Sequence, residues 1–269
     1  MKRLGNNVRG YSGELIHIGA VLDDCLDAAH AHGWNVEDIH AETNTLGLSR
    51  RAAPGALAPP RLYISTGIHG DEPAGPLAAR DLLRQNAWPA GLELWLCPCL
   101  NPAGFILNRR ENAQGIDLNR DYLNPQSPAT AAHIAWLKRQ PPFDLCLCLH
   151  EDWESHGFYL YEQNPDAQPS LAEGILEAVA KACPIDLSET IEGWPAQRGA
   201  LRPKLDPASR PKWPEALFLI THKTRLSYTL EAPSDFPLSA RVAALVAGVN
   251  AAIGRLARRR APQLSTEPG

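Results

Sequence analysis

Apolar positions along this chain recur with two periods, and the changes between them mark out helices and strands. Over residues 13–32, Leu15, Ile18, Val21, Leu22, Cys25, Leu26 and Ala29 fall at helical spacing, and Ser12 is placed to cap that helix. Residues 61–66 read as a strand. They lead into a helical pattern at about residues 75–85, with Leu77, Leu82 and Leu83 on its apolar side. Further strands are predicted over 92–99, 144–149, 157–161 and 226–230, and further helices over 129–139, 170–182 and 239–259. Strands alternating with helices of about a dozen residues predict an α/β layer structure, with a largely parallel sheet covered on both faces. The run Leu145-Cys146-Leu147-Cys148-Leu149 is apolar on both faces, as suits a central strand. Residues 196–214, punctuated by Pro203, Pro207, Pro211 and Pro214, read as one long connection, and structureless loops of that length are often functional. Residues 1–260 read as a single domain and 261–269 as a disordered tail.

Composition narrows the class. The chain has 269 residues, 44% hydrophobic and 21% charged, which is ordinary for a globular protein with a sizeable core. A net charge of −4 argues against a nucleic-acid partner. No apolar run approaches the roughly 20 residues that cross a bilayer, so no membrane partner is expected. The start, Met1-Lys2-Arg3-Leu4-Gly5-Asn6-Asn7, lacks the apolar stretch of a secretory signal, and the expected compartment is the cytoplasm. Cys97 and Cys99, like Cys146 and Cys148, share strand faces at a two-residue period. They read as small buried hydrophobes, with a cysteine metal site as the weaker alternative.

Candidate chemistry concentrates at the ends of three predicted strands, where open α/β sheets bind ligands. The first end carries His69-Gly70-Asp71-Glu72, the second His150-Glu151-Asp152, the third Glu231-Ala232-Pro233. A nitrogen and an oxygen ligand delivered together by His69 and Glu72 suit zinc, whose catalytic sites take three protein ligands and leave a position to water. On spacing alone His150 is a candidate third ligand, or it simply terminates a strand. Glu231 is a candidate general base for water whose pKa zinc lowers towards 7, or it is a solvated loop acid. Between them, residues 108–122 concentrate guanidinium and amide groups suited to gripping a carboxylate or an oxyanion. Asp152 and Glu154 suit a substrate with a free amine, such as a diaminopimelate-containing muropeptide, or are solvated acids.

Five segments in order resemble the zinc carboxypeptidase family, founded on the pancreatic carboxypeptidases, and above all its small bacterial branch, which includes murein peptide amidases. They are Gly67-Ile68-His69-Gly70-Asp71-Glu72, Leu100-Asn101-Pro102-Ala103-Gly104, the run from Arg110 through Asp117-Leu118-Asn119-Arg120 to Tyr122, Leu149-His150, and Thr229-Leu230-Glu231-Ala232-Pro233. The resemblance implies a three-layer α/β/α fold with a mixed, largely parallel central sheet and zinc at the C-terminal ends of its strands. It implies one zinc ion per chain on His69, Glu72 and His150, and Glu231 as general base and proton shuttle. It further implies Arg110 as the arginine that stabilises the oxyanion, and Asn119 and Arg120 as the pair that binds the substrate's free carboxylate. The implied partner is a peptide or N-acyl amino acid, and the implied reaction is hydrolysis of the amide next to its carboxylate. One departure stands out. The mobile tyrosine of the pancreatic enzymes has no counterpart around residues 209–219, where Trp213 lies. The related aspartoacylase and succinylglutamate desuccinylase branch, which deacylates N-acyl amino acids, also carries His-Gly-x-Glu and Asp-Leu-Asn-Arg. The nine-position interval from Arg110 to Asn119 looks more like the peptidase and amidase branch. A non-catalytic zinc- or peptide-binding module is the third alternative.

Overall fold

Backbone alternation sorts the sheet's side chains into two unlike layers. Leu145, Leu147 and Leu149 join one hydrophobic core, while Cys146 and Cys148 point the other way into a second. The computed structural model describes residues 1–5, 7, 14–56, 58–204 and 206–259. The strands are β1 Asn35–His40, β2 Thr45–Arg50, β3 Arg61–Thr66, β4 Glu93–Cys97 and β5 Leu145–Asp152, then β6 Tyr159–Gln163, β7 Thr190–Ile191, β8 Trp194–Gln197, β9 Ala200–Leu201 and β10 Ser227–Pro233. They form a ten-stranded sheet in the order β1-β2-β4-β3-β5-β10-β6-β9-β8-β7. The helices are α1 Ile18–Ala31, α2 Ala74–Gln85, α3 Pro102–Leu107, α4 Pro128–Arg139, α5 Ala172–Val179, α6 Glu215–His222 and α7 Leu238–Arg259.

α1, α2, α5 and α7 cover the leucine face. α4 and α6 cover the other, where Tyr63, Trp95, Trp136 and Phe218 pack around the cysteines. The fold is therefore a three-layer α/β/α structure on a mixed sheet. Its parallel centre is the four strands β4-β3-β5-β10, and the flanks are mostly antiparallel. All six cysteines are buried and free, as small hydrophobes should be.

Several local expectations need correction. The first helix begins at Ile18, because the His17 ring accepts a hydrogen bond from Ala20 N at 3.0 Å and caps it. Leu15 is 77% exposed and off the apolar stripe, and Ser12 lies outside the described residues, as do 261–269. Both site-bearing strands run further than predicted. β5 and β10 stay in register to Asp152↔Pro233, so His150 and Glu231 lie inside strands. The proline-punctuated stretch is not one loop. β8 and β9 pair antiparallel across a turn where Arg198 and Gly199 both have positive φ, as two-residue hairpin turns require. A 3₁₀ turn at Pro207–Ser209 and then α6 follow. α7 is long and apolar enough over Leu238–Ala257 to cross a membrane by length and composition, contrary to the reading that no run approaches that length. It serves here as a core helix: Ala244, Leu245, Val249 and Ala252 are fully buried, and so is the charged Arg241.

Candidate metal centre and catalytic cleft

The turn after β3 brings His69 and Glu72 together. Gly67 has φ +63°, a left-handed conformation that glycine adopts at little cost. At Gly70 a Cβ would come within 2.0 Å of the Gly104 backbone, so the turn packs backbone to backbone against α3. α2 starts two residues after Glu72 and fixes that side chain at the helix entrance. His69 Nδ1 lies 2.5 Å from Glu72 Oε1, and His150 Nδ1 lies 3.0 Å from Glu72 Oε2. Glu151 N–H donates to the same Oε2 at 3.1 Å. All three side chains are buried, and one donor atom from each lies within 4.8 Å of the others.

Two imidazole nitrogens and a carboxylate converging in a buried pocket are a donor set that fits a divalent metal. A second observation agrees. His69 Nε2 is buried without a hydrogen-bond partner, and Asp117 Oδ1 faces it at 3.4 Å, too long for a good hydrogen bond. A carboxylate behind the far nitrogen of a histidine is the usual support for a metal-binding imidazole. Asp117 in turn accepts a hydrogen bond from Arg110 Nε at 3.0 Å.

The charges in this pocket are strongly perturbed. Burial opposes ionisation of Glu72, but His69 and His150 beside it outweigh that and hold its carboxyl well below the usual range. Burial likewise opposes ionisation of Asp117, which His69 and Arg110 together reverse. Glu231 behaves oppositely. Burial, helped by Glu72 and Asp152, pushes it up to about 8 against the pull of His150 and Arg110. Glu231 lies inside β10 and lines the cleft, so it is not a solvated loop acid.

A cleft of about 650 Å³ opens over the centre, and all seven predicted site residues line it: His69, Glu72, Arg110, Asn119, Arg120, His150 and Glu231. Arg110 keeps its guanidinium 3.9 Å from Glu72 while bonded to Asp117. Asn119 Oδ1 accepts a hydrogen bond from Glu215 N–H at 2.9 Å, which leaves its amide NH₂ as the group it can offer a ligand. Arg120 donates to the Asn119 carbonyl at 2.8 Å. Trp213 does not line the cleft, and its indole N–H donates to Pro207 O. His156 is exposed and outside the cleft. Sequence reasoning passed over Asp117, although it stands in the Asp-Leu-Asn-Arg run two positions before Asn119. It also missed Tyr159, whose hydroxyl donates to Asp152 at 3.0 Å, and Glu215, which no motif marks.

Comparison with known proteins places this geometry. Residues 58–192 match the family model of the succinylglutamate desuccinylase/aspartoacylase catalytic domain, a stretch that holds six of the seven site residues and ends before Glu231. Carboxypeptidase SOL1 of Arabidopsis thaliana is 33% identical over 111 residues, covering 32% of this chain and 22% of that protein. The match thus spans about a fifth of that relative's length. Among solved structures, a protein provisionally named a metallopeptidase from Shewanella amazonensis superposes with a TM-score of 0.76 at 22% identity, over 89% of this chain and 93% of that one. A metallo-carboxypeptidase from Burkholderia cenocepacia gives 0.63 at 19% identity, over 90% and 69%. A metallo-carboxypeptidase from Pseudomonas aeruginosa, solved with (2-guanidinoethylmercapto)succinic acid, gives 0.58 at 22%, over 88% and 68%. At these identities the likeness establishes a shared fold.

Proposed function

The chain belongs to the succinylglutamate desuccinylase/aspartoacylase catalytic-domain family, a family of hydrolases, and from that premise we propose that it is a zinc-dependent enzyme cleaving an amide bond next to a free carboxylate. The observation that carries the reading is the convergence of His69 Nδ1, His150 Nδ1 and the Glu72 carboxylate in a cleft that also holds Glu231, Arg110, Asn119 and Arg120. His69, Glu72 and His150 would hold one zinc ion, which supplies Lewis acidity and an acidified water. The remaining chemistry belongs to the chain. The Glu231 carboxylate would accept the water's proton and return it to the leaving nitrogen. The Arg110 guanidinium offers N–H donors to the carbonyl oxygen as negative charge builds there. The Asn119 amide and the Arg120 fork hold the substrate's carboxylate and so choose the bond.

A cleft of about 650 Å³ is of the size that takes a drug-sized ligand, which suits a peptide or muropeptide on the acyl side. This favours a metallocarboxypeptidase or peptide amidase. The family match favours a second reading, deacylation of a small N-acyl amino acid, which uses the same residues. The Arg110–Asn119 interval therefore does not exclude that branch. The test is a substrate panel on zinc-loaded protein: C-terminal peptides, diaminopimelate-containing tripeptides and N-succinyl or N-acetyl amino acids, each against its carboxamide. Hydrolysis confined to free carboxylates and abolished by chelation is expected. Turnover of none, or equal turnover of the carboxamides, overturns the reading.

A further inference from the structure

Behind the cleft floor lies a buried polar network that the reaction as described does not use. Glu215, the first residue of α6, is 1% exposed. Its carboxylate accepts hydrogen bonds from Tyr63 Oη on one oxygen and Ser65 Oγ on the other, each at 2.8 Å. Among the described residues no ion pair to it is formed, and burial pushes its pKa up against the hydrogen bonds from Ser65, Tyr63 and the Cys148 thiol and the attraction of His150. The hydrogens along this network can be ordered. The Tyr63 hydroxyl proton is committed to Glu215, so His133 Nε2, 2.9 Å away, donates to the Tyr63 oxygen. His133 Nδ1 then accepts from Tyr122 Oη at 2.6 Å. Every donor in the chain points towards Glu215, where it ends.

The two ends of Glu215 hold different parts of the site. Its carboxylate grips β3, the strand that delivers His69 and Glu72. Its backbone N–H holds Asn119 Oδ1 at 2.9 Å. The loop is fastened twice more, by Tyr122 N–H to Trp213 O at 3.2 Å and by Tyr122 Oη to His133. We propose that Glu215 is a positioning residue for substrate recognition. It fixes the distance between the metal-binding end of β3 and the Asn119–Arg120 pair, and thereby which amide, counted from the substrate's carboxylate, meets the catalytic groups. The proposal rests on the carboxylate-binding role given to Asn119 and Arg120 above. It predicts that loosening Glu215 blurs the register of cleavage without disturbing the metal.

The test compares wild type with Glu215→Gln, which keeps the size of the side chain but replaces one acceptor by a donor. Paired substrates are an N-acyl α-amino acid and its β-amino acid homologue, whose carboxylate stands one methylene further from the amide. Glu215→Gln is expected to keep its zinc content, raise KM for the α substrate, and shrink the α over β preference in kcat/KM at least tenfold. An undiminished preference, or loss of zinc, overturns the proposal. Succinate binding to the zinc-loaded proteins, measured by calorimetry against succinamide, gives a readout without turnover. At least tenfold weaker succinate binding in Glu215→Gln is expected, and unchanged binding overturns it. A wild-type protein that does not distinguish succinate from succinamide instead refutes the carboxylate role of Asn119 and Arg120, and takes this proposal with it. An Asn119→Ala background separates the two further, because an effect of Glu215→Gln exerted through Asn119 should largely disappear there.

Discussion

His150 and Glu231 are register partners on the adjacent parallel strands β5 and β10. Their backbones are thus about 4.8 Å apart, the spacing of neighbouring strands, and their side chains leave the same face of the sheet. A metal-ligand candidate and a base candidate carried on the same hydrogen-bonded ladder hold their separation without help from a loop. Glu231→Gln should therefore keep its metal and lose turnover by about 10²–10⁴-fold, the usual contribution of a general base. Elemental analysis beside kcat measures both, and near-normal kcat would remove Glu231 from the role.

The metal should also support the fold. His69, Glu72 and His150 are buried and hydrogen-bonded through Glu72 without it, but bound zinc would stabilise the native state by mass action. At a free concentration 100 times Kd the gain is about 2.7 kcal/mol. Thermal denaturation with and without chelator should show that gain in wild type and little or none in His69→Ala, which should also bind substoichiometric metal. An equal response in the variant would place the metal elsewhere.

Acid should weaken the protein through His133. Burial pushes this histidine down to about 3 from an ordinary value near 6.5. The folded value lies below the unfolded one, so as pH falls the unfolded chain takes up the proton first. The stabilising contribution is complete above about pH 6.5 and is lost towards pH 3, at about 1.4 kcal/mol per pH unit. Urea denaturation at pH 7, 6 and 5 should show a shallower decline in His133→Leu than in wild type, even though that variant is weaker at pH 7 for want of partners to Tyr63 and Tyr122. Parallel declines would show that His133 is not the group responsible.

A buried ion pair braces β5, the strand that carries His150, from behind. Arg241 in α7 bonds to Glu151 and to Glu14, and Glu151 also accepts from Ala74 N at 2.6 Å, at the start of α2. Ser234 Oγ donates to Glu151 at 3.0 Å. Arg241→Met would leave the Glu151 carboxylate buried and unpaired, at a cost of about 3–5 kcal/mol. Adding Glu151→Gln should recover a good part of it. Denaturation midpoints of the single and double variants decide the matter, and a double variant no more stable than the single would refute the pairing.

The sequence made the parallel centre and the His69–Glu72 pair legible because both are local signals. The strand at 61–66 has the predicted bounds, and His69 and Glu72 are three residues apart in one turn. What stayed hidden depends on distant partners. The β1–β2 hairpin carries no strong turn dipeptide, α6 follows directly on a proline-rich stretch, and Glu215 finds Tyr63 and Ser65 some 150 positions away. Strand ends were underestimated for the same reason. Nothing in Leu149-His150-Glu151-Asp152 says that β10 will match it through Pro233, and that pairing puts a histidine expected at a strand end inside the strand.

The candidate site is divided between the sheet and the segments that join its strands. His150 and Glu231 stand on the paired parallel strands β5 and β10. Arg110 and the cleft walls at Trp153, Glu192, Arg210 and Lys212 stand on connections between elements, as do His69 and Glu72, while Asn119 and Arg120 stand in a 3₁₀ turn at Leu118–Arg120. The outer cleft walls can be rebuilt without moving His150 or Glu231. The same scaffold could thus serve a long peptide or a short acyl amino acid, and a chain that matches a deacylase family while folding like carboxypeptidases is what such a scaffold would produce.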